Sequence, residues 1–96
     1  SRYANPDLAV GLQAIVLPGL NTVVRTQPGF GAGEISGYLT DGEIVVIVGG
    51  PFWVAGDADT IVWWYVELAS GLRGWTPANT SDFALLAPWV GQEQSQ

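Results

Sequence analysis

Asp57 and Asp59 stand at alternate positions in the polar stretch Ala55-Gly56-Asp57-Ala58-Asp59-Thr60, where two carboxylates could begin a Ca²⁺ loop or share the work of glycosidic hydrolysis. A calcium loop needs further oxygen ligands, and no Asn or bidentate Glu completes one. Glycosidic hydrolysis needs two acids at a defined separation with one of them in an apolar pocket, and these lie in a polar loop. A solvated acidic turn is the simpler reading. The rest of the chemical inventory is thinner still, because the chain has no Cys, no His and no Lys. Thiolate nucleophiles, disulfides, Cys-ligated zinc and the commonest general base are therefore excluded. Gly29-Phe30-Gly31-Ala32-Gly33 superficially echoes a phosphate loop, but it has no Lys and no following helix whose N-terminus would hold the anion. The expectation is a non-enzyme with no catalytic residue, no metal site and no cofactor.

Charge narrows the partners. Nine acids stand against Arg2, Arg25 and Arg73, for a net charge of −6. Binding to nucleic acid needs cations that replace the counterions released from phosphates, and this chain lacks them. The same deficit argues against an anionic membrane surface. No apolar run has the length of a membrane span, so direct membrane insertion is not expected.

Aromatic residues are the remaining resource: five Trp, three Tyr and three Phe in 96 residues. The adjacent pair Trp63-Trp64 is the sharpest feature, since neighbours in a strand face opposite ways. Val62, Trp64, Val66 and Leu68 share the parity of a buried face. Trp63, Tyr65 and Glu67 take the other. An outward Trp63 lines a groove, is covered by a loop or terminus, or mediates self-association. Trp75 and Pro77 could join it, with Phe83 close behind, to make an apolar trough for an extended peptide or glycan. Alternatively, Trp75 plugs one end of the fold. Trp53 and Phe52 either overhang the trough or fold back over the core. The candidate ligand groove is thus Trp63, Trp75, Pro77, Phe83 and Trp53. Arg25 is expected to pair with a local acid, and Asn21 to bond backbone at a turn.

The elements that must position these rings read as strands. Gly11 to Leu17, Thr22 to Thr26, Glu34 to Thr40, Glu43 to Val48, Ile61 to Leu68, Leu72 to Thr76 and Phe83 to Leu86 are short β-prone runs. Phe52-Trp53-Val54 extends the fourth past a Gly49-Gly50-Pro51 bend, and Ile35 and Leu39 share one face of the third. Asp41-Gly42 is a tight-turn dipeptide. Pro77 to Asp82 cannot be a central strand and suggests a turn or a 3₁₀ step. No segment sustains a helical period. One domain fits the length. Residues 1–10 read as a lead-in, residues 11–90 as the domain and residues 91–96 as a polar tail, both ends resembling linker.

The order of these signals resembles a known family. Leu20-Asn21, Val24-Arg25 and Pro28-Gly29 are similar to the opening motif of bacterial SH3 domains (SH3b). Ile35, Gly37 and Leu39 followed by Gly42 resemble the next segment of that pattern. Gly50-Pro51, Trp63-Trp64-Tyr65-Val66, Gly71, Gly74-Trp75 and Leu85-Leu86-Ala87-Pro88 complete it, so the likeness runs from Leu20 to Trp89. Thr22-Val23 is an insertion against the pattern, and the Phe52 to Thr60 loop is long. Gly74-Trp75-Thr76-Pro77-Ala78-Asn79 also resembles the groove-lining step of eukaryotic SH3 domains.

The resemblance implies an all-β fold, a small SH3-like barrel of five to six short antiparallel strands with a 3₁₀ turn near the C-terminus. It also implies an extracellular or cell-envelope protein, with any targeting segment outside this stretch of sequence. The functional expectation is a binding module for peptidoglycan peptide or another extended peptide. The alternative is a spacer or assembly domain that packs on itself or a neighbour, with weak self-association.

Overall fold

The computed structural model describes residues 1–91. The polar tail expected at 91–96 lies outside the described residues from Gln92 onward. Seven strands and no helix make up the described fold: β1 (Gln13–Val16), β2 (Thr22–Arg25), β3 (Ile35–Leu39), β4 (Ile44–Ala55), β5 (Thr60–Glu67), β6 (Arg73–Pro77) and β7 (Leu86–Trp89). The strands pair antiparallel throughout the described residues, and the sheet order is β3-β2-β6-β5-β4-β1-β7. The sheet is curled like part of a barrel, with β3 and β7 as its two margins. The all-β, barrel-like class follows from the sequence pattern. The strand count is seven rather than five to six.

Alternation along β5 sets the core. Val62, Trp64 and Val66, with Leu68 just beyond the strand, all turn inward against Val16, Val24, Leu39, Val45, Ile47 and Leu86. Removing this much apolar surface from water is the dominant favourable contribution to such a small fold. Gly74 permits the close crossing of β2 over β6. A Cβ there would lie 2.5 Å from Val24 Cγ1 and 3.0 Å from the Arg25 carbonyl oxygen. Gly50 has φ +97°, a left-handed conformation open to glycine, and a Cβ would stand 3.1 Å from the Trp63 carbonyl oxygen.

Two register shifts bend β4. One falls between Ile47 and Gly49, the other between Gly49 and Phe52, so a single strand of 12 residues runs through the Gly49-Gly50-Pro51 bend. A shift in the β2–β3 pairing corrects one expectation. Val24 pairs with Gly37 but Arg25 pairs with Ile35, so Ser36 is the extra residue and Ile35 turns away from the face that buries Leu39.

Residues 78–85 also differ from expectation. No 3₁₀ turn forms there. The Thr80 N–H donates to the Phe83 carbonyl at 2.8 Å, the reverse of the 3₁₀ direction, and Asn79 bridges to Ala84. Asn79 is the anchor. Its Oδ1 accepts from the Val62 N–H at 3.0 Å, and its Nδ2 donates toward the carbonyls of Thr60 (3.0 Å) and Thr80 (2.9 Å). The last strand accordingly starts at Leu86, later than the Phe83 expected.

The segment read as a free lead-in is packed onto the fold. Leu8 joins the core and Ala4 packs against it. Asp59 accepts from the Arg2 backbone N–H at 2.8 Å and from Ser1 Oγ at 3.3 Å.

Candidate functional site: an aromatic shelf beside a loop-walled cleft

Cross-strand register places Tyr65 opposite Trp75, and Trp75 opposite Arg25, on the face of the sheet away from the core. Next along that face, Trp63 stands between Phe52 and Pro77. The Tyr65 and Trp75 ring centroids are 5.3 Å apart at 57°, and Phe52 and Trp75 are 6.3 Å apart at 59°. These are tilted contacts of the kind that ring quadrupoles favour. Phe52 is 50% exposed, and Trp75 and Tyr65 are half-buried. Opposite Tyr65 on β4 stands Gly49, and the Tyr65 side chain lies against it: a Cβ there would be 3.2 Å from Tyr65 Cβ. The Glu67–Arg73 ion pair (2.8 Å) borders this shelf of three rings.

Trp63 requires a correction. It lies on the face that parity assigns, yet it is fully buried at 0% exposure. The β2–β3 loop folds back over it, and Phe30 meets the indole edge-on at 5.0 Å and 66°. Pro77 is buried as well. Burial under a loop was one of the readings left open for this residue, and Phe30 supplies the cover. In sequence that ring belongs only to a glycine-rich bend. Its signal was a large aromatic between glycines, with no strand of its own to belong to.

The five candidate groove residues therefore separate. Trp63 and Pro77 are cross-strand partners below the surface, and Trp75 sits beside them in the shelf. Phe83 is half-exposed over a different depression, shared with Leu20, Val23, Phe30 and Leu85. Trp53 pairs with Val62, so it belongs to the opposite face, where it is 63% exposed beside Trp64 and the N-terminal segment. It neither overhangs the shelf nor caps the core. Phe52 and Tyr65, left out of the candidate set, complete the shelf instead.

Beside the shelf, three loops wall a cleft of about 540 Å³: residues 28–32, 54–57 and 80–82, with Ile61 and Trp63 between them. Ser81 Oγ accepts from the Ala58 N–H at 3.1 Å, tying two of these loops together. Arg25 donates to the carbonyls of Ala32 (2.8 Å) and Gly33 (3.4 Å), which braces the third; the local acid expected as its partner is absent from its contacts.

Of the two loop carboxylates, Asp59 is occupied by the N-terminal segment. The Arg2 backbone N–H holds its carboxyl below the ordinary aspartate value of 3.8, with help from the Thr60 N–H. Among the described residues no three His, Cys, Asp or Glu side chains gather as a metal cluster would require. No helix among them is long and apolar enough to cross a membrane. Comparisons with protein-family models, with curated proteins and with solved structures find no match. The class that the geometry itself defines is an all-β domain with a curled antiparallel sheet and an aromatic outer face.

Proposed function

We propose that this chain is a non-catalytic binding module of the bacterial SH3 type, acting outside the cell or in its envelope. It holds an extended peptide, such as the peptide portion of peptidoglycan, along the Phe52-Tyr65-Trp75 shelf. The observation that carries this reading is Trp75 held between two other rings on the outer face of β4–β6. Flat, preorganised rings offer apolar area to an extended chain at low entropic cost. The sequence likeness from Leu20 to Trp89 supports the family part of the reading.

Titration of intrinsic fluorescence with muropeptides and with a proline-rich peptide tests it. A saturable change that is lost in Trp75→Ala is the expected result. No change with either ligand sinks the proposal.

The half-exposed Ile35 and exposed Tyr38 on the marginal strand β3 favour a second reading, in which that margin packs on a sister domain or a second copy. Light scattering behind size exclusion separates the two. A monomer at all concentrations rules out self-association.

A further inference from the structure

We propose that the outer edge of β3 accepts an extended segment of another polypeptide as an added antiparallel strand, one with a basic residue at each end. This rests on the second reading above and deepens it, by naming what the β3 margin takes.

The direction of the backbone groups shows that this edge is open. Thr76 Oγ1 donates to the Val23 carbonyl at 2.8 Å, so Val23 turns its peptide groups toward β6. Tyr38 is the cross-strand partner of Val23, and its N–H and C=O therefore point away from β2. The Thr26 N–H donates to the Glu34 carbonyl at 2.9 Å, which turns Ile35, the next residue, outward as well. The outward groups of Tyr38 and Ile35 meet no partner among the described residues.

The opposite margin is closed. The Leu17 N–H donates to the Leu85 carbonyl, so Leu86 and Pro88 are the residues of β7 that turn outward. Leu86 directs its N–H to the Ala78 carbonyl at 3.2 Å, and Pro88 has none to offer. β3 has no such protection: Ile35–Leu39 holds neither Pro nor charge, and Tyr38 is 65% exposed. The Ser36 bulge shortens the usable edge, so an added strand needs a second source of affinity beyond its main-chain bonds.

Charge at the two ends of β3 supplies it. Glu34 stands just before the strand and Asp41 just after it, both exposed and neither in an ion pair. The chain's own cations are directed elsewhere, Arg25 to loop carbonyls and Arg73 to Glu67. A second copy is the wrong partner. Pairing Tyr38 with its own counterpart, with Ser36 looped out, sets Glu34 of each copy opposite Asp41 of the other, and opposed like charges destabilise a strand pair. A strand carrying Lys or Arg at each end reverses that sign. Between the ends, a β-branched residue opposite Tyr38 makes a favourable cross-strand pair, and the main-chain bonds hold the rest.

The test uses three blocked peptides: Lys-Val-Thr-Val-Thr-Val-Lys, the same core with Glu at both ends, and the Lys form N-methylated at its central Val. Backbone amide resonances are followed by NMR. The Lys-ended peptide is expected to shift the Tyr38 and Ile35 amides saturably, with the other two about tenfold or more weaker. Glu34→Gln with Asp41→Asn should bring the Lys-ended and Glu-ended peptides to equal affinity; both side chains are exposed, and an unchanged spectrum elsewhere verifies the fold. Equal binding of the three peptides to the unaltered domain overturns the proposal. A shift confined to the Trp75 indole also overturns it and leaves the shelf reading standing. Shifts of β3 that grow with protein concentration alone replace the foreign strand by a second copy. No saturable shift, in a domain that stays monomeric, sinks the strand partner and self-packing together.

Discussion

Trp63 and Trp64 are adjacent on β5, face opposite sides of the sheet, and are both buried. One indole sits in the core, and the other lies beneath a loop on the outer face. Each leaves its Nε1–H without an acceptor. β5 thus needs cover on both sides.

Removing either ring should be costly. Trp63→Ala and Trp64→Ala are each expected to lower stability by about 3–5 kcal/mol, since the cavity left behind adds to the lost burial. Phe30→Ala removes only a half-exposed ring and should cost about 1–2 kcal/mol. Urea denaturation of the three variants checks the ranking.

Asn79 is buried and bonds both the strand beside it and its own loop. Asn79→Ala leaves the buried Val62 N–H without its acceptor, for a loss of about 2–3 kcal/mol. Amide exchange should show Val62 losing protection before the rest of β5.

Gly74→Ala sets a methyl against Val24 and the Arg25 carbonyl, and β2 must move away from β6. A loss of about 2 kcal/mol or more is expected. Gly31→Ala, with nothing within 4 Å of the new Cβ, is the matched control and should change stability little. Thermal melts of the pair decide this.

Asp59 carries a pH dependence whose sign is fixed by its lowered pKa. Its stabilising bonds are fully present above the unfolded value, near 3.8, and are lost as the pH falls through the lower folded value. Asp59→Asn should therefore narrow the stability difference between about pH 6 and about pH 2.5. Denaturant midpoints at the two pH values, in both proteins, provide the measurement.

Trp75→Ala should leave the fold intact, at a cost of about 1–2 kcal/mol for a half-buried ring, while abolishing the fluorescence response to peptide. A variant that unfolds, or one that still responds, contradicts the shelf reading.

Much of the fold was legible because its signals are local. Period-two alternation from Val62 to Leu68 identifies the core side of β5, and Asp41-Gly42 marks the turn before β4. Parity tells which side a residue faces but says nothing of what lies above it. For that reason Trp63 read as an open ring, when a loop some 30 residues earlier in sequence delivers Phe30 onto it. A bulge defeats parity: Ser36 turns Ile35 outward, whereas in β4 the two shifts cancel and Trp53 faces the same side as Ile47. Leu8 was missed because a single apolar residue among turn signals has no period to reveal it.

The scattering of the tryptophans over distinct surroundings makes the chain its own spectroscopic map. Trp53 faces water near the N-terminal segment, Trp75 reports on the shelf, and Trp63 lies under Phe30. Shielded indoles emit further to the blue and resist collisional quenchers, so Trp53→Phe and Trp75→Phe, which spare the two buried rings, would resolve where a ligand lands without any added label.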